Sequence, residues 1–431
     1  VRQGKKGAPE ATTPLTVAAH RIKNGMKKKL RVGVLFGGRS GEHEVSLLSA
    51  ASVLKAIDRS RYEVVPIGIT KQGRWVVSGD AERLLAGDYP DSGSSALRAG
   101  DPQQTAPAAV LAKGQGVIVP PVPSAAGKGG GTLVPFEREA SALSPTQDVL
   151  QLDVVFPVLH GTFGEDGTMQ GLFELAGLAY VGSGVLGSAT GMDKEIMKRL
   201  FQAAGLPITP HITFLRREWE TSSRKIVTRL ESALKYPLFV KPANLGSSVG
   251  ISKAHDRKEL GPAIKLAAGF DRKIVVEQAV GSRGNRTKMG KARELEVAVL
   301  GNDEPTASVV GEIVPGKEFY DYEAKYLSEG SIPIIPAKLT KKQSDQVRSM
   351  ALDAFRACDC AGLARVDFLL EAGDSGRLYL NEINTMPGFT SISMYPKLWD
   401  ASGIGYRDLI SRLITLALER KAEQEQISYS R

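Results

Sequence analysis

The run LRVGVLFGG (30–38) constrains the fold more than any other stretch of the chain. It is apolar over the length of a strand, as burial on both faces requires, and it ends in two glycines. EVSLLSAASVLKAI (44–57) then carries helical periodicity, and YEVVPIGIT (62–70) is a second buried strand. Strand, tight loop, helix, strand is the order of a parallel α/β unit. One such unit cannot use 431 residues, because single cores stop growing well short of that length. Two or three domains follow.

Further along, VVFPVLHGTFGEDG (154–167) is a strand running into a polar, glycine-containing loop, and MQGLFELAG is a helix. SATGMDKEIMKRLFQAAG (188–205) reads as one helix, with Gly205 at its stop and Pro207 beyond. YPLFVKPA (236–243) and VGISKA (249–254) are strands around the loop NLGSS; KIVVEQAV (273–280) and ELEVAVLGN (294–302) are two more. LARVDFLLEAGDSGRLYLNEIN (363–384) alternates on both sides of a Gly/Asp/Ser turn and so predicts an antiparallel pair. A C-terminal helix surrounds YRDLISRLITLALERKAE. Residues 78–148 are rich in Gly, Ala, Pro and Ser and read as a long, partly mobile insertion, with GVIVP as a short strand inside it.

The net charge of +9 raises the question of nucleic acid. Its distribution answers it. Residues 1–29 hold eight lysines and arginines against one glutamate, and residues 281–293 hold five basic residues and no acid. The remainder is close to neutral, so nucleic-acid binding is not expected. The chain opens on Val1, and Met26 stands just ahead of the first strand. An alternative start codon, or a start placed too early, is expected, with residues 1–29 as a disordered basic lead-in. It has no apolar segment of the signal-peptide kind, and no run approaches the ~20 apolar residues of a membrane span. Cys358 and Cys360 are too few for a disulfide framework and poorly spaced for zinc. They read as buried thiols near a helix end, in a reducing, cytoplasmic compartment.

On the strand ARVDFLL, Arg365 and Asp367 share one face; on its partner, Glu382 and Asn384 share one. Should the faces coincide, two carboxylates, an amide oxygen and a guanidinium converge. Oxygen-only ligation suits Mg²⁺, and Arg365 could meet a phosphate or an oxyanion beside it. A solvated polar sheet face explains the same residues equally well. In LFVKPANLGSSVGIS (238–252), Lys241 lies near a strand end, and the loop with Ser247 and Ser248 offers small residues and backbone N–H groups to phosphate, or is a plain hairpin turn. Lys194 in MDKEIMKRL is either a phosphate contact or a solvated helix lysine. Glu277 closes a strand where a nucleotide edge could meet it. FYDYEAKY (319–326) is dense in tyrosine and charge, as a loop closing over substrate would be. FGGRSGEHEVS (36–46) lacks the G-x-G-x-x-G spacing and an acid at the end of the second strand, which argues against hydride transfer. Its Glu42 could pair with a substrate ammonium or be a helix N-terminal acid. His43 and His160 read first as structural, with His160 kept as a substrate-side candidate.

Taken in order, GGRSGEHEVSLLSA, LHGTFGEDGTMQGLFELAGLAYVGSG, MDKEIMKRL, FVKPANLGSSVGIS, VVEQAV, ELEVAVLGN, FYDYEAKYL, ARVDFLL and NEINTMPGFTSISMYPKL resemble the ATP-grasp superfamily, and within it the D-alanine–D-alanine ligase family. The resemblance runs from about residue 30 to residue 422. It implies an α/β (α+β) ATP-grasp fold. A parallel α/β domain would span 30–187, a central subdomain 188–285 and a C-terminal subdomain 286–422, with a short tail at 423–431. The two subdomains would clamp ATP between their sheets. The resemblance further implies two Mg²⁺ or Mn²⁺ ions on Asp367, Glu382 and Asn384, with Glu382 bridging. Lys194, Lys241 and Lys325 would hold phosphates, Glu277 would face adenine and Glu294 ribose. Glu42 would hold the ammonium of the first D-alanine, linked to Ser247 and Tyr326 of the closing loop. Arg365 and the Gly388 amide would face the tetrahedral intermediate, and Ser393 and the Met394 amide the second carboxylate. The implied reaction joins two D-alanines through a D-alanyl phosphate for peptidoglycan precursors, in a cytoplasmic homodimer. Tyr326 favours D-alanine as acceptor; D-lactate or D-serine is the alternative. The insertion at 281–293 falls between Glu277 and Glu294, and so bears on the ribose side.

Overall fold

The computed structural model describes residues 29–78, 106–122, 131–135, 150–246, 249–281, 292–314, 331–371, 376–390 and 392–428. Three sheets organise them. In the first, β1 (Leu30–Gly37) leads through Gly37 and Gly38, at φ of 88° and 100°, into α1 (His43–Ala56). A Cβ on Gly37 would lie 2.2 Å from the Ile69 carbonyl oxygen, so only glycine passes here. β2 (Tyr62–Ile69) pairs parallel with β1, as the pattern predicts. There follow β3 (Trp75–Val77), α2 (Ala106–Lys113), β4 (Gln115–Ile118), β5 (Gly131–Pro135), β6 (Leu150–Leu152), β7 (Val154–Pro157), α3 (Thr168–Leu175) and β8 (Ala179–Tyr180). The strand order is β6-β5-β4-β3-β2-β1-β7-β8. The half β2-β1-β7-β8 is parallel, but β3 to β6 pair antiparallel, so the sheet is mixed rather than parallel. Where it is described, the region read as an insertion supplies α2, β4 and β5 of this sheet. The short strand expected at GVIVP is β4; β5, which was not expected, gains its order from its sheet partners, which local composition does not encode.

A break divides the stretch read as one helix. α4 (Val185–Met192) ends at Asp193, whose extended backbone starts α5 (Lys194–Ala203). The Asp193 carboxylate accepts from the Glu195 and Ile196 amides, and Lys273 Nζ lies 2.6 Å from it. The cap fixes the first turn, and with it Lys194. β9 (His211–Leu215), α6 (Arg216–Ala233), β10 (Leu238–Pro242), β11 (Ser252–Ala254), α7 (Arg257–Ala268) and β12 (Lys273–Gln278) form the second unit, with antiparallel order β11-β10-β12-β9. Leu238, Val240, Ile274 and Val276 pack with Leu230, Leu260 and Ile264 of the two helices. By the two-residue period, Lys241 and Glu277 take the opposite face.

The third unit comprises β13 (Arg293–Gly301), β14 (Thr306–Val314), β15 (Ile332–Ile334), α8 (Lys341–Ala357), β16 (Gly362–Leu370), β17 (Leu378–Asn384), α9 (Met394–Asp400) and α10 (Tyr406–Gln424). Its order is β15-β14-β13-β16-β17, antiparallel throughout. Val366, Phe368, Leu380 and Ile383 pack with Val347, Met350 and Phe355 of α8. Leu380 and Ile383 are three apart, which a regular strand would place on opposite faces. A register shift between Asp367 and Phe368 leaves Asn381 as the extra residue on β17 and corrects the parity. Glu382 and Asn384 are thereby turned to the face of Arg365 and Asp367.

The loop after β17 is anchored away from its own sheet. Met386 and Phe389 join a core that includes Val34, Phe156 and Val158 of the first unit and Leu409 and Leu413 of α10. Cys358 caps α8; it and Cys360 are buried, as expected, and burial pushes the Cys358 thiol up to about 12. Among the described residues no helix is long and apolar enough to cross a membrane.

Candidate active site

The β16–β17 pair brings the expected polar face together. Asp367 lies opposite Glu382, and Arg365 opposite Asn384. Arg365 binds Asp367 through both Nε and Nη2, each at 2.7 Å, and Asn384 Nδ2 donates to Asp367 Oδ2 at 3.0 Å. On β13, Glu296 stands opposite Asp367, with its Oε2 3.2 Å from Arg365 Nε. The faces coincide, so the solvated-face alternative gives way to a partly buried charge cluster. Among the described residues no three His, Cys, Asp or Glu side chains close on one point. Two carboxylates and an amide oxygen are nonetheless the donor set for Mg²⁺, which keeps few protein ligands and completes its shell with water and phosphate.

Across from this face lies that of β10 and β12. Lys241 Nζ donates to Glu277 Oε2 at 2.9 Å, and Lys198 Nζ is 3.1 Å from Glu277 Oε1. Burial alone would raise the Glu277 pKa; Lys198 and Lys241 outweigh it and hold the carboxylate well below its usual range. Burial likewise opposes charge on Lys241, but Glu277, then Glu382 and Glu294, raise its pKa. Lys194 ties the carboxylate face to the loop that follows β10: its Nζ donates to the Leu245 carbonyl at 2.8 Å and lies 3.7 Å from Glu382 Oε2. Glu294 lies on β13, on the same face as Glu296.

The first unit closes a third side. Glu42, buried at the start of α1, lies so near Gly246 that a Cβ there would sit 2.9 Å from Glu42 Oε1. Glu165 takes the Gly161 amide at 2.7 Å and the Met386 amide at 3.2 Å. Burial, then the Glu42 charge, raises the Glu165 pKa to about 8. His160 is buried with Nδ1 3.0 Å from the Met386 carbonyl and Nε2 3.2 Å from Ser49 Oγ. That geometry assigns the proton to Nδ1, and burial lowers the pKa, with Glu42 opposing, so the ring is neutral. With both nitrogens engaged, contact with a substrate requires one of these bonds to open. Gly388 lies between buried Pro387 and Phe389. Ser393 precedes α9 and holds Thr390, whose amide donates to Ser393 Oγ at 3.0 Å; Met394 is buried behind it. Ser247, Ser248, Lys325, Tyr326 and the 319–326 loop lie outside the described residues.

Two family models match the chain: the D-ala D-ala ligase N-terminus over residues 31–183 and the D-ala D-ala ligase C-terminus over residues 200–415. The chain is 47% identical over 406 residues to the D-alanine–D-alanine ligase of Chloroherpeton thalassium, covering 93% of this chain and 99% of that one. The chain belongs to the D-alanine–D-alanine ligase family. The D-alanine–D-alanine ligase of Geobacillus thermodenitrificans is 45% identical over 406 residues, with the same two coverages. The solved D-alanine–D-alanine ligase from Coxiella burnetii aligns with a TM-score of 0.73 at 32% identity, over 92% of this chain and 96% of that one. The VanG D-Ala:D-Ser ligase from Enterococcus faecalis aligns at 0.71 and 33% identity, over 90% and 100%. The three sheets are thus the ATP-grasp architecture of this ligase family.

Three residues of the site went unread in the sequence. Glu296 shares the face of Glu294 by simple alternation. Lys198 lies one helical turn beyond Lys194. Glu165 is one of two acids in the loop LHGTFGEDG, which reads as polar but gives no sign that the Glu165 carboxylate reaches Met386, 221 positions away.

Proposed function

We propose that the protein joins two D-alanines in an ATP-dependent reaction that releases ADP and phosphate and supplies D-alanyl-D-alanine for peptidoglycan precursors. One observation carries this reading: Lys194, held by the Leu245 carbonyl in the loop that follows the strand of Lys241, reaches the carboxylate face at Glu382, and Glu42 meets the same loop at Gly246 from the first unit.

A carboxylate is a poor acylating agent. An oxygen of the first D-alanine attacks the γ-phosphorus of ATP; the bond to the β-phosphate oxygen breaks, and ADP leaves. The neutral amine of the second D-alanine then attacks the acyl carbon, the carbon–oxygen bond to phosphate breaks, and the amine loses a proton. Positioning and charge neutralisation supply most of the rate. Lys194 and Lys241 hold the phosphates, Glu42 the first ammonium, and Arg365 with the Gly388 amide the oxyanion. Asp367, Glu382 and Asn384 would hold Mg²⁺ or Mn²⁺, which neutralises phosphoryl charge when bound. Ser393 and the Met394 amide receive the second carboxylate. Lys325, Tyr326, Ser247 and Ser248 complete the closed site in this reading, and Glu294 meets the ribose. The reading includes the cytoplasmic location and the homodimer that the family resemblance implies.

Acceptor competition tests it. Purified protein with ATP, Mg²⁺ and D-alanine, challenged with D-lactate or D-serine from pH 6 to pH 9, is expected to make chiefly D-alanyl-D-alanine, increasingly so at high pH where the amine is neutral. Chiefly depsipeptide or D-alanyl-D-serine would refute D-alanine as acceptor.

A further inference from the structure

Lys198 is the most deeply buried ammonium of the site, at 1% exposure, and the reaction as described above gives it no role. It stands on α5 between two elements that must cooperate. One is Glu277 on β12, 3.1 Å away; the other is the carbonyl of Asn381, to which it donates at 3.3 Å. Asn381 is the bulge residue that aims Glu382. A lysine is rarely buried so completely without a fixed partner, because an unpaired buried charge is very costly.

The details at Glu277 are specific. Its Oε2 is taken by Lys241 at 2.9 Å and lies 3.4 Å from Thr209 Oγ1. Its Oε1 is within ion-pair distance of Lys198 but is buried and accepts no hydrogen bond there. One carboxylate oxygen is thus oriented and charged with acceptor capacity to spare. An incoming N–H group would satisfy it; a carbonyl oxygen would be repelled.

We propose that Lys198 is a positioning residue that holds Glu277 ionised and aimed, so that discrimination between a 6-amino and a 6-oxo purine nucleotide runs through this lysine. The inference rests on the reading of Glu277 as the adenine-facing residue. It also divides the labour between two lysines. Lys241 can turn toward phosphate because Lys198 remains as counter-ion. The other titratable groups around the pair are His211 on β9, opposite Glu277, together with Glu195, Glu294 and Glu382. Burial lowers the His211 pKa, with Lys198 adding to it, so the ring is neutral at working pH and does not substitute for the lysine.

The test compares ATP with ITP, which presents an oxygen where adenine presents an amino donor. For Lys198→Met, the kcat/KM preference for ATP over ITP is expected to fall about tenfold or more, with most of the change in the KM for ATP and little in the KM for D-alanine. Lys198→Gln keeps a donor for Asn381 but no charge, and is expected to behave alike; it serves should the methionine variant not fold. Glu277→Gln is the control, because its amide can donate to the 6-oxygen. Preference lost in Glu277→Gln but intact in both Lys198 variants overturns the role of Lys198 alone. Preference intact in all three overturns the adenine reading of Glu277, and the inference with it.

Discussion

Glu382 is the residue on which the two halves of the site meet. It is opposite Asp367 in the sheet and 3.7 Å from Lys194 across the cleft. Glu382→Gln keeps the shape and removes the charge, so turnover should fall about a hundredfold or more, while ATP affinity changes only a few-fold. Activity equal to the parent would remove Glu382 from the metal site. Glu165 makes a separate prediction about pH. Its folded pKa, about 8, stands above the ordinary carboxylate value of 4.5, so the folded state binds its proton more tightly than the unfolded chain does. The stabilisation from that proton is full below pH 4.5 and is lost as pH rises toward 8, with a slope of at most about 1.4 kcal/mol per pH unit. Glu165→Gln, which cannot ionise, should flatten this part of the stability–pH curve. An unchanged slope in urea titrations between pH 5 and pH 8 would show that Glu165 does not titrate there.

Among the elements, α5 is held at its start by a single residue. Asp193 caps it, takes an amide hydrogen of Asn244 at 3.1 Å, and pairs with Lys273. Asp193→Ala should cost about 1–2 kcal/mol from the cap alone and raise the KM for ATP, because Lys194 is the first residue of the helix it secures. A stability loss with no change in that KM would separate the cap from nucleotide binding. α5 also marks where the sequence was and was not legible. Periodicity reports helix over 188–205 on both sides of Asp193, but the cap that divides it is recognised only when the extended backbone is seen. The β16–β17 pair was readable because alternation is a local property. Its bulge at Asn381 was not, since only the cross-strand register reveals it. In a stretch whose composition suggests loop, β4 was legible as the strand in GVIVP, whereas β5 was not, because only its sheet partners β4 and β6 give it order. Glu42, Arg365, Asp367 and Asn384 were legible through motif and face; Glu165 acts through a contact made only by the fold.

At the scale of the whole molecule, the site exists because loops from three units meet, and the contacts that hold them lie outside the chemistry. Arg420 of α10 stacks 4.3 Å from the centre of the Tyr180 ring and donates to the Tyr180 and Gly182 carbonyls. Arg420→Ala should lower stability by about 1–3 kcal/mol and lower kcat without changing which acceptor is used. A thermal melt indistinguishable from the parent would mean that this contact does not hold the units together. The loop Met386–Pro387–Gly388–Phe389 has the same architectural role from the other side. It carries the chain from β17, with Glu382 and Asn384, into the core of the unit that holds Glu42, so in the proposed reaction acyl transfer falls where the two are joined. The most direct test follows the oxygen. With D-alanine labelled in its carboxylate with ¹⁸O, plus ATP and Mg²⁺, the account predicts ADP, phosphate and D-alanyl-D-alanine in equal amounts, with one ¹⁸O atom from the carboxylate in each phosphate released. Dipeptide formed with no ¹⁸O in the phosphate, or phosphate released without dipeptide, would contradict it.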